Sequence, residues 1–466
     1  MRITIKNLGP LERADFELGD LTVICGMNNT GKTYATYALY GFLEYWASSF
    51  IPRIPKSLLE TLYTNGKAMI PLGVFVEQAT SDLKRASEEF SKTLDEVFAS
   101  KRQRFEDSSI SIAIPERPVI QTLYPKSTLG SRMRDVFRIQ QIGSSFLEVT
   151  LLVEKDKPEL VPPRYFIEYR VADAVKKIVY GNSIPRSYIS SAERTGATIF
   201  RSALNSAAIL TPPAGDANLP LEHRPWNLLR DLKHGYALPV KRNIEFIRNL
   251  DDIEKNDSFL ALHAPQVLDD FADIIGGTYK VVRGEPYFIP KFSRGIRLSM
   301  DESSSAVRSL LDVGLYLRHV ARLGDLMMID EPELNLHPEN QRKIARLLAS
   351  LVNLGLKVFI TTHSDYIIKE LSALLLLSSR QKHQRRFMKA NGYGEGELIA
   401  ANRIRVYMTK PVKPSTSRPA SNRAAFTLEK AQVGNELGII VGSFDDTIDK
   451  MNFMQQEILF GGDEDS

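Results

Sequence analysis

The segment Gly26-Met27-Asn28-Asn29-Thr30-Gly31-Lys32-Thr33 sets two glycines, a lysine and a threonine at a spacing that suits a phosphate chain. Glycine has no Cβ, so main-chain N–H groups can turn inward around phosphate oxygens. Lys32 then supplies a point charge to the β- and γ-phosphates of a nucleotide, and Thr33 offers a hydroxyl to Mg²⁺. A second group lies far downstream, in LMMIDEPELNLHPENQ. Asp330 closes an apolar run, where a carboxylate can hold the water shell of Mg²⁺. The adjacent Glu331 can orient or deprotonate an attacking water. A third run, ITTHSD, ends on His363, which can reach a γ-phosphate as a sensor or serve only as a satisfied histidine at a sheet rim. A fourth, Ser303-Ser304-Ser305, precedes an apolar-periodic helix. Its hydroxyls are good helix caps, and taken alone they are only that.

These groups need elements to carry them. Residues 1–48 read as strand, turn, strand, glycine loop and helix: MRITIKNL and LERADFEL alternate, LTVIC is continuously apolar, and YATYALYGFLEYW is a buried helix. The helix would aim its N-terminal amides at the same phosphates. LMMID (326–330) and KVFITT (357–362) are short apolar strands. Between them PENQRKIARLLASLVNL is a helix, with Pro338 at its first position and Gly355 past its end. Strand, helix and strand at this length form a parallel crossover.

The intervening sequence is more varied. Residues 50–80 are turn-rich, and 81–107 read as one amphipathic helix with Leu83, Phe90, Leu94, Val97 and Phe98 on a face. SISIAI, SFLEVTLLV and RYFIEYRV read as antiparallel strands. TPPAGDANLP is a loop, and TYKVVRGEPYFIP is a hairpin turning at Arg283-Gly284. PVKPSTSRPASNRAA (411–425) reads as a loop or linker. DDTIDKMNFMQQEILF reads as a closing helix with Ile448, Met451 and Ile458 on a common face, and GGDEDS as a frayed acidic end. No repeat of 20–50 residues is visible.

Composition narrows the class. The chain has 466 residues, 43% hydrophobic and 25% charged, with net charge +4. At about 100–200 residues per domain that allows two to four units. The charge is too weak alone to argue for nucleic acid. Its one cysteine, Cys25, rules out an intramolecular disulfide and fits a reducing compartment. No apolar stretch approaches the roughly 18 residues of a membrane span, so a soluble cytoplasmic protein without membrane contact is expected. SSRQKHQRRFMK (378–389) and KRQR (101–104) are cationic runs that either bind nucleic-acid phosphates or are solvated faces.

The order of the four motifs resembles that of ABC-type ATPases of the SMC-like and OLD-like kind, in the wider AAA grouping. Residues 1–48 resemble the first lobe of such a head and 278–372 the second. The resemblance implies an α/β fold: a head with a mainly parallel nucleotide-binding sheet, an antiparallel β lobe and a short helical and β insertion arm. It implies residues 1–48 as the first part of the head, 49–277 as the insertion, 278–410 as the second part and 411–466 as a C-terminal extension. It also implies a homodimer, or a higher oligomer, in which the glycine loop of one head and the signature serines of the other sandwich ATP. The family's signature carries glycine, whereas this chain has Ser303-Ser304-Ser305-Ala306. Asn335 to His337 would form the loop that crosses the dimer. The family's glutamine loop, which completes the Mg²⁺ shell, has no clear counterpart; Gln140 and Gln141 are candidates without spacing support. SSAERTG (190–196) is similar to a segment these proteins carry near the nucleotide.

Roughly 270 residues separate the glycine loop from the serines, more than in transporter ATPases and far fewer than in chromosomal coiled-coil proteins. OLD-type relatives add a nuclease domain. Its nearest imitation here, GIIVGSFDD (438–446), has Gly442 where that fold needs glutamate, so no nuclease activity of its own is expected. The strings DEPELNLHP and TTHSDY resemble the PtuA-like ATPases of Septu antiphage systems, including retron-associated ones. That resemblance implies slow ATP hydrolysis that controls a separate HNH (PtuB-like) nuclease, and in retrons a reverse transcriptase with its RNA-linked DNA. Composition and spacing show none of this. Two other classes stay open: an SMC-like repair ATPase acting directly on DNA, and a toxin or binding module in which ATP is structural.

Overall fold

The computed structural model describes residues 1–123, 127–131, 134–152, 163–199, 235–292, 295–413 and 425–460. Its strands begin with β1 (Arg2–Leu8), β2 (Leu11–Glu17) and β3 (Leu21–Cys25). The middle of the chain adds β4 (Lys67–Pro71), β5 (Ser109–Ala113), β6 (Ser127–Ser131), β7 (Arg134–Ile142), β8 (Phe146–Leu151) and β9 (Ser187–Ser190). A hairpin of β10 (Gly277–Val282) and β11 (Glu285–Pro290) turns where expected and is flanked by β12 (Leu298–Ser299). The last third supplies β13 (Leu326–Asp330), β14 (Lys357–Thr362), β15 (Ile404–Val412), β16 (Ala425–Lys430), β17 (Gln432–Gly434) and β18 (Gly438–Ile440).

Nine strands form one sheet in the order β5-β1-β2-β16-β15-β3-β14-β13-β9. From β15 to β9 every neighbouring pair is parallel. β5, β1 and β2 make an antiparallel wing, and β16 joins it to the parallel half. The fold is thus α/β with a mainly parallel sheet, together with separate antiparallel sheets β4-β8-β7-β6 and β10-β11-β12.

The continuous apolar runs follow from burial on both faces, as parallel sheets require. In β13, Leu326 and Met328 pack into one core, while Met327 and Ile329 pack into the other. β14 divides likewise, Phe359 against Val358 and Ile360. Each such side chain contributes about 1.5–3 kcal/mol when fully buried. Because the strands run parallel, their carboxyl ends open on one edge. Register puts Cys25 beside Thr362, Asp330 beside Thr361, and Ile329 beside Ser190. Ligands of open α/β sheets bind along this edge.

Some local expectations change. RYFIEYRV, read as a strand, is the start of a helix, Arg164–Tyr180. Ile167, Val171, Ala174, Val175 and Ile178 are buried at three- and four-residue spacing, a period that eight residues do not reveal. The single helix over 81–107 begins earlier, at Leu72 after Pro71, ends at Ser91, and is followed by the short turn Leu94–Val97. Strand pairing also runs across the boundaries expected at 48, 277 and 410: β5 and β9 pair with β1 and β13, and β16 lies between β2 and β15. The helix Gly442–Phe460 forms as expected, with Met451 and Ile458 exposed. The loop TPPAGDANLP, residues 414–424 of the 411–425 linker and the end GGDEDS lie outside the described residues. Among the described residues, no helix is long and apolar enough to cross a membrane.

Candidate nucleotide site

β3 delivers the chain into Gly26, whose φ of 140° is open to glycine. A Cβ there would fall 1.9 Å from Thr409 Oγ1 on β15. Gly31, at φ 104°, caps the helix Lys32–Ser48, and a Cβ there would meet Leu11 Cγ at 2.6 Å. Both positions therefore require glycine for space as well as for backbone angle. No side chain caps this helix, which leaves its first amides to an anion. Lys32 is buried, and its Nζ donates to the carbonyls of Gly26 and Met27, each at 2.9 Å. Burial pushes its ammonium down, while the charges of Glu331, Asp330 and Glu333 push it back up. Asn28 and Asn29 are exposed at the loop tip with Met27, and Thr30 turns inward to donate to the Met27 carbonyl at 2.7 Å.

Asp330, at the tip of β13, is fully buried. Its Oδ1 accepts from the Thr361 hydroxyl; Oδ2 has no hydrogen-bond partner among the described residues. Burial pushes the carboxyl up to about 6 against the pull of Thr361; the charges of Glu331 and Glu193 add to the rise and the Thr33 hydroxyl opposes it. Thr33 and Asp330 thus face each other although 297 positions separate them in the sequence. Glu331 takes a left-handed backbone, φ 55°, at a cost of about 1–3 kcal/mol for a residue with a Cβ. Its N–H donates to the Thr361 carbonyl at 3.2 Å. The turn swings the Glu331 side chain to 3.5 Å from His363 Nδ1, where it remains part exposed.

His363 follows β14 and is half-exposed, with Nδ1 also 3.3 Å from Glu333 Oε1. Glu333 stands in the same acidic string, where residue type alone does not separate it from Glu331. It is buried; Oε1 accepts from the Thr362 hydroxyl at 2.8 Å and the His363 N–H at 2.7 Å, and Oε2 has no partner among the described residues. Burial raises its carboxyl. A cavity of about 380 Å³ opens beside Glu333 and His363, floored by Asn335, Gln341 and Tyr366. A larger one, about 760 Å³, lies under the antiparallel wing and holds none of these groups.

The segment SSAERTG leaves β9 on the same edge. Glu193 Oε2 accepts from Tyr37 OH at 2.7 Å, and Glu193 faces Asp330 closely enough to raise its carboxyl. Arg194 is 1% exposed. It donates to the carbonyls of Asp330 (2.7 Å), Glu331 (2.8 Å), Ser191 (2.9 Å) and Ser309 (2.6 Å). The sequence signal was the run itself; no spacing rule marks the arginine.

The serines divide. Ser303 is buried and donates to the Ser299 carbonyl at 2.7 Å, Ser304 caps the short helix Ser305–Ser309 by accepting from the Val307 N–H, and Ser305 is exposed. Asn335 and His337 are exposed, and His337 caps the helix Pro338–Asn353. Gln141 is engaged by the segment before β6, accepting from the Leu123 N–H and donating to the Gln121 carbonyl. Cys25 is buried with its thiol pushed up to about 12 by burial, which makes it inert.

The donor set fits Mg²⁺ with ATP. An unpartnered buried carboxylate oxygen, a facing hydroxyl and a glycine cradle are what an ion bound through one protein carboxylate and substrate phosphates requires. Among the described residues no group of three His, Cys, Asp or Glu side chains could hold a metal by itself.

Residues 235–368 match a family model described as the AAA ATPase domain. The match takes in the serines, Asp330, Glu331 and His363; the glycine loop lies before it. No curated protein matches the chain. Three solved structures are similar at low identity. An SMC head bound to the C-winged helix domain of ScpA has 11% identity over 93% of this chain and 98% of its own, with a TM-score of 0.34. The SMC head domain from Thermotoga maritima has 9%, 93%, 98% and 0.30. An Smc head domain with an extended coiled coil, bound to the C-terminal domain of ScpA derived from Pyrococcus furiosus, has 10%, 97%, 98% and 0.32. The family match and the site's own geometry support an ATPase of the AAA kind.

Proposed function

We propose that this chain binds Mg²⁺–ATP between two copies and hydrolyses it slowly, and that this cycle controls a separate HNH-type nuclease in antiphage defence, in retrons alongside a reverse transcriptase and its RNA-linked DNA. One observation carries the ATPase reading: Lys32, Thr33, Asp330, Glu331 and His363, from three distant parts of the chain, meet on one sheet edge. Lys32 and the loop amides from Gly26 to Thr33 hold the phosphates. Thr33 and Asp330 hold Mg²⁺, which when bound would neutralise charge developing on the triphosphate. Glu331 takes a proton from the attacking water, and His363 senses the γ-phosphate. Ser304 and Ser305 face the partner head's nucleotide, while Ser303 shapes that loop from within. The reading of a nuclease partner rests on the resemblance of the DEPELNLHP and TTHSDY strings to Septu-type ATPases.

The test is phosphate release and nucleotide binding by the purified chain. Lys32→Ala removes a charge-assisted contact of about 1.5–3 kcal/mol, so ATP affinity falls about 10- to 100-fold. Unchanged affinity removes the glycine loop from the site. A nuclease whose cutting is indifferent to Lys32→Ala is not under this protein's control.

A second reading, direct action on DNA, is favoured by the helix Lys382–Asn391. Lys382, Arg385, Arg386 and Lys389 are all exposed on it, and it carries no acidic residue. Two of these cations sit in its first turn, against the helix dipole. If the reading holds, DNA stimulates turnover without any nuclease, and exchanging the four cations for glutamate abolishes the stimulation. Turnover indifferent to DNA at low salt rules it out.

A further inference from the structure

We infer that Arg194 is a positioning residue for hydrolysis. Its guanidinium locks the Asp330-Glu331 strand end to the helix that follows the serines, and so aims Glu331 at the water. This rests on the ATPase reading above.

Burying a guanidinium is costly unless its hydrogen bonds are met. Arg194 meets them on main-chain carbonyls from three separate elements. Two of those carbonyls belong to Asp330 and Glu331, the third to Ser191 of its own turn, and the fourth to Ser309 at the end of the Ser305–Ser309 helix. A purely structural arginine could have been replaced by an apolar side chain. This one instead sits behind the two acids that the chemistry needs. It also stabilises the left-handed turn at Glu331: the Glu331 N–H is held by Thr361 on one side, and its carbonyl by Arg194 on the other. Relaxed to an ordinary backbone, that turn would carry the carboxylate away from His363.

The anchor is itself rigid. Asn243 accepts from the Ser191 N–H at 2.9 Å and donates to the Ile189 carbonyl at 2.6 Å, fixing the chain on either side of Ser190. Burial pushes up the carboxyl of Asp312, 3.4 Å from Asn243 Nδ2, and the charge of Arg194, within whose field it lies, pulls it down against that push. The planar fork of arginine suits four divergent carbonyls, whereas a lysine ammonium reaches fewer. Through Ser309 and the Asp330–Glu331 carbonyls, a shift of the serine helix on a partner's nucleotide is passed to Glu331.

The experiment measures ATP binding and steady-state hydrolysis by the full chain carrying Arg194→Gln or Arg194→Lys, each alone and combined with Glu331→Gln. Misplacing a catalytic group by about 1 Å costs about 100-fold, so Arg194→Gln should lower kcat by that order and leave ATP affinity within about threefold. Arg194→Lys should recover part of the loss. In the Glu331→Gln background neither change should lower kcat further, because the group they act through is gone. The inference is overturned by unaltered kcat, by equal losses in affinity and kcat, by losses that add to that of Glu331→Gln, or by unfolding of both variants, which would make the arginine structural. If the wild-type chain itself turns over no ATP, the ATPase reading fails first and the inference with it; wild-type turnover with an indifferent Arg194 sinks the inference alone.

Discussion

Glu331→Gln should hold ATP without turning it over. Removal of a general base costs about 10²–10⁴-fold in rate, while glutamine keeps the size and the hydrogen-bonding reach of the side chain. The backbone of residue 331 is held without its carboxylate, which meets His363 Nδ1 at 3.5 Å. Its N–H is held by Thr361 and its carbonyl by Arg194. The loop around Lys32 is untouched, so nucleotide stays bound and the ATP-bridged dimer should accumulate. Size-exclusion chromatography with Mg²⁺–ATP, together with a single-turnover assay, reads both effects. Glu333 is the competing candidate, but its Oε1 is occupied by Thr362 and His363 and its side chain is 4% exposed, against 21% for Glu331. Should the Glu331 variant turn over like wild type, the base lies elsewhere.

Asp330→Asn should act in two directions at once. Holding that carboxyl at about 6 rather than its ordinary 3.8 costs the ionised fold about 3 kcal/mol. Below pH 3.8 the acid is protonated in both the folded and the unfolded chain, and stability is whole. As pH rises from 3.8 to 6 the unfolded chain ionises first, so stability declines, and above 6 it stays at the lower level. Asparagine has no such decline. The nucleotide-free, chelated variant should therefore melt a few degrees higher than wild type at pH 7, and the two should converge near pH 4. With Mg²⁺–ATP the order reverses. Wild type gains stability by ligand binding, and the variant, which lacks the anionic ligand, gains less and hydrolyses little. Equal melting at pH 7 would show that Asp330 is relieved by contacts other than those seen here.

Much of this site was legible because its parts are local. A glycine cradle works through backbone angles within eight residues. A strand-tip acid is marked by the apolar run before it, and Thr361 to Ser364 end the next strand in the same manner. Glu333 and Arg194 escaped for a different reason. Glu331 and Glu333 are equivalent in the string DEPE; only the left-handed turn at Glu331 leaves one side chain at the mouth and the other under His363. Arg194 donates to carbonyls 115 to 137 positions away, and no periodicity records such distances. RYFIEYRV reads as a strand because Tyr165, Ile167, Tyr169 and Val171 fall at a two-residue period; burial of Ile167, Val171 and Ala174 on one face makes it a helix.

The amino-acid order alone determined which short segments can grip a triphosphate, since that chemistry depends on residue type and near neighbours. Tertiary structure decided that these segments share one edge, which carboxylate faces out, and that β16 enters the sheet between β2 and β15. Those outcomes follow from parallel strand register and from burial on both faces of the sheet, which depend on the whole chain at once.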